Sequence, residues 1–374
     1  MQSNHPRIAI VCDFLTTMGG AENVVLAMHE AFPEAPIYTA IYNPDNVSAF
    51  RALDVRPSRL QKIPKKLRQF HKLFPTFAVK AMRDLDLSEF DIILTSSYLH
   101  ANQITKARPD QKIISYCHTP ARYYWSHYDE YRHDPGYGKL NPIVRALMPL
   151  LVPHQRKLDL KAAKQVDVFI ANSTETQSRI KRYYGKTSTV LHPPVDTKRF
   201  SPERERGEHY VTMGRQLPYK RYDLAIAAAT KLNKKLIVFC NGPMHEKLVG
   251  EAGPSIEFRT DRFGDASDAE YEKSLSTARG FIYPAEEDFG IVQAEALAAG
   301  APVIGYSKGG TPDIITSEEL GVLFDHQTVG AITNAVKTLE ATTYFPSRLA
   351  RAAKRFDKSL FISKLRNIVS ASIT

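Results

Sequence analysis

Residues Gly280–Val303 read GFIYPAEEDFGIVQAEALAAGAPV, and the fold of the chain turns on them. Phe281-Ile282-Tyr283-Pro284 has the apolar character of a buried strand. Glu286-Glu287-Asp288 makes an acidic turn, and Gly290 precedes a helical pattern from about Ile291 to Ala299 that Gly300 ends. Pro302-Val303-Ile304 then starts another apolar strand. Strand, turn, helix and strand in this order make the βαβ unit of a parallel sheet. Ligands of such sheets bind outside the carboxyl ends of the strands, where this acidic turn falls, at a helix N-terminus with unpaired N–H groups. Glu287 sits in the turn and Glu295 farther into the helix, so at ~1.5 Å rise per residue the two are staggered along its axis. That stagger suits two hydroxylated parts of one ligand, because carboxylates accept hydrogen bonds from vicinal hydroxyls. A solvated turn residue and a helix-surface charge are the plainer reading of the same pair.

Working outward, 374 residues suggest two domains, and 43% hydrophobic content is that of an ordinary globular chain. Cys12, Cys117 and Cys240 are too few and too scattered for a disulfide frame or a zinc site, which fits a reducing compartment. The N-terminus runs straight into a strand-like segment without a leader pattern, and no apolar run reaches the ~20 residues of a membrane span. The net charge of +10 is uneven: Arg56 to Arg83 holds nine Lys or Arg and no Asp or Glu. Such a field points to an acidic partner.

From the N-terminus, RIAIVCDF (Arg7 to Phe14) reads as a buried first strand, followed by Gly19-Gly20 and a helical pattern. Two glycines there let backbone approach a phosphate, or simply turn the chain. GxGxxG is absent, which argues against a nicotinamide or flavin site. Ala35 to Ile41 reads as the next strand. Between Pro64, read as a helix start, and Pro75, read as a stop, apolar Leu67, Phe70 and Phe74 recur at helical spacing among Lys65, Lys66, Arg68 and Lys72. This is either a basic helix on an anionic membrane or a packed helix with a solvated basic face.

Further strands are expected at 91–95, 113–117, 168–171 and 189–191. After the 113–117 run comes CHTPARYYW: His118 reads as catalytic, phosphate-binding or structural, and the aromatic run as sugar stacking, interface or packing. Ile143 to Val152 is apolar and short, interrupted by Arg145 and Pro149, enough to dip into an interface and not to cross it. His192-Pro193-Pro194-Val195-Asp196 is the linker candidate. Beyond it the α/β alternation restarts, with strands at 209–213, 235–240 and 256–259 and a helix at 223–231. In MGRQLPYKR, Gly214 ends a strand and Arg215 and Lys220 follow in the loop, a bidentate fork and a point charge suited to an anion, or else a basic surface loop.

Taken together these motifs resemble glycosyltransferase family 4, with its retaining, two-domain GT-B fold: two Rossmann-like doubly wound α/β domains facing a central cleft. Glu287 and Glu295 fit the family's E-x7-E signature, Gly214-Arg215 and Lys220 its diphosphate clamp, and Gly19-Gly20 its N-terminal loop. CHTPARYYW, VDVFIANS, YYGKTSTVLHPPVDTKRF and EDFG are similar to bacterial O-antigen and polysaccharide mannosyltransferases. The resemblance implies an acceptor-binding domain over 1–193, a nucleotide-sugar domain over 194–350, and a C-terminal helix over 351–374 that crosses back. It implies a nucleotide-diphosphate sugar, GDP-mannose in the first place, with no cofactor and no essential metal.

Glu295 is then expected to hold the ribose, and Glu287 with the amides of Phe289, Gly290 and Ile291 the sugar. Arg215 and Lys220 stabilise the diphosphate, Arg262 belongs to the donor loop, and His118 faces the sugar. Thr119, Arg122 and Tyr123 serve the acceptor, a lipid-linked or oligosaccharide chain. The partners implied are the donor, this acceptor and an anionic membrane surface, without nucleic acid, at the cytoplasmic face of the cell membrane. No second carboxylate stands out as a nucleophile, so a same-face route is expected. Gly309-Gly310-Thr311-Pro312-Asp313 departs from the family in carrying Asp where Glu is usual, and Asp84-Leu85-Asp86 reads as a surface decoy of a metal motif. An epimerase or phosphorylase of the same fold, or a basic lipid-binding module, are the alternatives.

Overall fold

The structure is a computed structural model that describes residues 6–64, 75–133, 135, 138, 141–202, 205–260 and 269–372. The chain divides into two compact units, one of residues 1–191 with 362–374 and one of residues 192–361.

The first unit holds strands β1 (Ile8–Cys12), β2 (Ile37–Thr39), β3 (Val55–Pro57), β4 (Ile92–Ser97), β5 (Lys112–Cys117), β6 (Val168–Ala171) and β7 (Thr189–Val190), in the sheet order β3-β2-β1-β4-β5-β6-β7. All pairings are parallel, with Ile8 beside Ile92 and Ile114 beside Val168. Helices cover both faces of such a sheet, which is why IAIVC is buried from Ala9 onward and IILTSS throughout. β1 leads to β2 on one side while β4 leads to β5 on the other, so the sheet switches direction between β1 and β4. The C-terminal helix Lys358–Ala371 contributes its last residues to this unit. Arg366 Nε donates to the Ala31 carbonyl at 2.9 Å, closing the end of helix Gly20–Ala31 with a cation.

The second unit holds β8 (Tyr210–Met213), β9 (Leu236–Phe239), β10 (Ile256–Arg259), β11 (Gly280–Tyr283), β12 (Val303–Tyr306) and β13 (Gly321–Phe324), again all parallel, in the order β10-β9-β8-β11-β12-β13. Its direction switches between β8 and β11. Side chains alternate between the faces. Phe281 and Val303 pack with Leu275, Leu297 and Ile314, while Ile282 and Ile304 pack with Val238, Val336 and Leu339. Each such buried side chain contributes roughly 1.5–3 kcal/mol.

The edge strands β3 and β13 lie outside the strands expected from the sequence: each is short and partly exposed, and β3, VRP, has no apolar run at all. Pro57 is tolerated in β3 because that strand lies at an edge. Pro75 is the first residue of helix Pro75–Arg83, where a missing N–H leaves no bond unmade, and the helix it was expected to stop lies outside the described residues. The basic segment carrying Lys65, Lys66, Arg68, Phe70 and Lys72 lies outside the described residues. The apolar run from Ile143 belongs to one helix of 25 residues, Asn141–Gln165, that contains Pro149 and Pro153. Among the described residues no helix is long and apolar enough to cross a membrane. Asp84 and Asp86 are exposed, Asp86 accepting from the Ser88 hydroxyl.

Candidate active site

In the second unit the chemistry gathers at the carboxyl ends of β8 and β11, the two strands flanking the switch in direction. Lys220 Nζ, at the end of the loop after β8, lies 2.7 Å from Glu287 Oε1 in the loop after β11, and each side chain is only 15% exposed. Burial by itself lowers the Lys220 pKa. The Glu287 carboxylate overcomes it, so the net shift is upward and the ammonium stays charged through neutral pH. Its charge also lies 5.8 Å from the ring centres of Tyr219 and Tyr283.

Local backbone chemistry aims the lysine. Gly214 has φ +139°, and a Cβ there would overlap the Tyr222 hydroxyl and stand 3.4 Å from Lys220 Nζ. The Tyr222 hydroxyl donates to the Met213 carbonyl at 2.7 Å, pinning the end of β8 to helix Tyr222–Leu232. Arg221 takes φ +53°, uncommon without glycine, and pairs with Asp223 at 3.1 Å. Buried Gln216 ties this loop to the one after β9: its Nε2 donates to the Cys240 carbonyl at 2.7 Å and its Oε1 meets His245 Nδ1 at 3.0 Å. Arg215, between Gly214 and Gln216, is exposed.

On the β11 side, Gly290 adopts φ +84° and caps helix Ile291–Ala298. Among the described residues the amides of Phe289, Gly290 and Ile291 donate to no protein acceptor, so they remain available at that helix end. Glu295 is half-buried in the same helix and accepts from the Tyr271 hydroxyl at 3.1 Å. Gly309 and Gly310 press on the acidic turn from the loop after β12. Gly310 N donates to the Glu287 carbonyl at 2.8 Å, and a Cβ at Gly309, where φ is +68°, would overlap that carbonyl. Behind them Asp313 meets His192 Nε2 at 3.2 Å, and Arg355 donates to the carbonyls of Asp313 and Ile314.

The first unit has a polar centre of its own at its switch. Asp13, at the end of β1, is buried and accepts from the amides of Tyr98, Leu99, His100 and Ala101 after β4. Burial pushes its carboxyl up to about 6, against these four donors. Glu22, in the first turn of helix Gly20–Ala31, is pushed up to about 7 by burial and by Asp13. Gly19 is extended, and a Cβ on it would stand 3.0 Å from the Glu22 carboxylate. Gly20 opens the helix.

His118 follows β5, nearly buried, with Nε2 2.8 Å from the Ser96 hydroxyl and its ring edge-on to Tyr116 and Tyr98. Thr119 is buried, donating to the Pro120 carbonyl at 3.2 Å and accepting from Arg179. Arg122 is half-buried, as is Tyr123, whose ring centre lies 4.2 Å from that of Tyr131. Trp125 stacks on Tyr183, lies beneath Arg156, and donates to Asp159 at 2.6 Å. Packing already occupies that part of the aromatic run.

The structure thus brings Gly214, Lys220, Glu287, Gly290 and the Ile291 amide together in one unit, and His118 and Thr119 at one strand end of the other. Arg262 lies outside the described residues. Asp13, Glu22, Gln216 and Tyr222 belong to no motif of the sequence. Only the placement of Asp13 and Gln216 at apolar strand ends signals them there.

The chain matches two families: Glycosyltransferase Family 4 over residues 18–199, and Glycosyl transferases group 1 over residues 195–356. It is 29% identical over 219 residues to a GDP-mannose-dependent alpha-(1-6)-phosphatidylinositol monomannoside mannosyltransferase of Mycobacterium tuberculosis, covering 50% of this chain and 56% of that one. To a D-inositol 3-phosphate glycosyltransferase of Salinispora arenicola it is 27% identical over 230 residues, covering 51% of each. The chain thus spans about half the length of the curated relatives it matches. In structure it is similar to HepE of Anabaena in complex with UDP and glucose, with a TM-score of 0.69 at 15% identity over 98% of this chain and 100% of that one. Sucrose-phosphate synthase of Thermosynechococcus elongatus gives a TM-score of 0.72 at 17% identity over 97% and 98%. Two parallel doubly wound units, matched in turn by the two families, place this chain among the glycosyltransferases of the family 4, GT-B type.

Proposed function

We propose that the protein is a retaining hexosyltransferase that carries mannose from GDP-mannose to a lipid-linked or oligosaccharide acceptor. In this reading it works peripherally, at the cytoplasmic face of the cell membrane. The observation that carries the proposal is the Lys220–Glu287 pair at the switch between β8 and β11, a cation and a hydroxyl acceptor held 2.7 Å apart. The names of the mycobacterial relatives favour GDP-mannose as the donor.

In the reaction the bond from the anomeric carbon to the diphosphate oxygen breaks, and its electron pair leaves with the diphosphate. Lys220 and Arg215 stabilise that growing charge beside Gly214, a contribution of roughly 2.7–4 kcal/mol for one well-placed donor. Glu287 and the amides of Phe289, Gly290 and Ile291 hold the sugar. Glu295 accepts from the ribose hydroxyls, and Arg262 belongs to the donor loop. The acceptor oxygen bonds the anomeric carbon from the face the diphosphate leaves, and its proton passes to a departing phosphate oxygen. This route keeps the configuration without a carboxylate nucleophile. His118, Gly19 and Gly20 serve the donor, and Thr119, Arg122 and Tyr123 the acceptor.

Thermal-shift titration with GDP-, UDP- and ADP-sugars tests the reading. A ligand at ~100 times its dissociation constant adds about 2.7 kcal/mol to the folded state, and GDP-mannose is expected to give the largest rise. A rise with a UDP-sugar alone replaces the donor. No rise with any of them removes the proposal.

A further inference from the structure

The helix Asn141–Gln165 turns an apolar stripe outward. Ile143, Leu147 and Leu150 are 59%, 45% and 74% exposed, where side chains of this kind are ordinarily covered. With ~3.6 residues per turn they fall on one side of the helix. Lys157 and Lys161, both exposed, continue the same stripe toward the C-terminus. The buried side, through Val152, Gln155, Asp159, Ala162 and Ala163, is the opposite one. The helix sequence contains Arg145, Arg156, Lys157, Lys161 and Lys164 against a single acid, Asp159, which is buried. Gln155 Nε2 donates to the Thr76 hydroxyl at 3.2 Å and so ties the helix to its neighbour Pro75–Arg83, which carries no acid and exposes Phe77 and Lys80. The acids Asp129 and Glu130 are on a separate helix, Tyr128–His133.

We infer that helix Asn141–Gln165 docks the first unit onto an anionic lipid bilayer, with Ile143, Leu147 and Leu150 entering the acyl boundary and Lys157 and Lys161 lying among the headgroups. A bilayer surface offers both things this stripe needs: apolar depth at one end and negative charge at the other. Nucleic acid offers the charge without the apolar depth. A second copy of this chain would set lysines against lysines across a two-fold contact. The inference deepens the proposed action on a lipid-linked acceptor and rests on that reading for its purpose, while its physical content is membrane affinity alone.

Flotation of the full chain with vesicles tests it. Phosphatidylcholine vesicles with about 30 mol% phosphatidylglycerol should carry the protein upward, and pure phosphatidylcholine should carry about tenfold less. Ile143→Glu with Leu150→Glu should lower flotation by at least about tenfold, and Lys157→Glu with Lys161→Glu by a similar factor that shrinks as salt is raised. Should the first pair lower the melting temperature, the single Leu150→Gln variant gives the same reading with a smaller loss. The inference is overturned if wild-type protein ignores the anionic vesicles. It is also overturned if the apolar variants float as well as wild type, or if Leu150→Glu abolishes a concentration-dependent dimer instead. Each variant is also titrated with GDP-mannose by thermal shift. Lost flotation in a variant that keeps its donor shift supports the docking assignment. Flotation that persists when no nucleotide-sugar gives a shift overturns the transferase reading and leaves the docking one standing.

Discussion

Replacing Lys220 with Met removes one side of a pair that is 2.7 Å apart and 85% shielded on each side. Two consequences separate cleanly. For stability, Glu287 is left charged with its cation gone, and stranding one partner of a buried pair costs about 3–5 kcal/mol. The remaining exposure of each side chain and the Gly310 neighbourhood put the expected loss at the lower end, about 3 kcal/mol, read as the shift in a urea melt. Adding Glu287→Gln to Lys220→Met removes the stranded charge, so the double variant should recover about 2 kcal/mol of that loss. For catalysis there is no such rescue. Turnover of GDP-mannose, followed as release of nucleoside diphosphate, should fall by about 10²–10³ in Lys220→Met and stay low in the double variant, because the lost contact strengthens as charge develops. The refuting result is a double variant in which stability returns and turnover returns with it. Lys220 would then be a structural partner of Glu287 and nothing more.

Glu295→Ala should weaken nucleotide-sugar binding by about tenfold, while Tyr271→Phe, which deletes the 3.1 Å bond to that carboxylate, should weaken it far less; calorimetric titration of both separates ligand contact from side-chain support. Gly309→Ala forces a side chain onto the Glu287 carbonyl at φ +68°, and should cost about 2–3 kcal/mol in a urea melt together with most of the turnover, whereas an alanine at exposed Gly250 should change neither. Asp159 is buried, accepts from Trp125 and Tyr184, and has its pKa raised to about 6 chiefly by burial. The folded state therefore binds this proton more tightly than the unfolded chain, and the group's contribution to stability is complete below about pH 4 and declines as pH rises through about 6. Asp159→Asn should match wild type at pH 4 and exceed it by about 2 kcal/mol at pH 8; urea melts that differ equally at both pH values would contradict the assignment.

The sequence alone determined the repeating strand–helix order and, through it, the two α/β halves. Strands covered on both faces read as near-continuous apolar runs, so IAIVC, LIVF, GFIY and the Ile92-Ile93-Leu94 start of IILTSS are visible without any partner. The acidic turn, Gly290 and the helix after it are legible for the same reason: each is local, written within a few residues. Tertiary structure alone decided what is assembled from distant segments. The edge strands Val55–Pro57 and Gly321–Phe324 acquire their identity only from the neighbour they pair with. Asp13 is an ordinary acid in RIAIVCDF until four amides from the end of another strand converge on it. Lys220 and Glu287 stand far apart in the chain, and only the order β9-β8-β11-β12 makes their loops neighbours. Local patterns report burial and helical or strand period, whereas an ion pair across a change of strand order depends on register and loop path, which no single stretch of sequence contains.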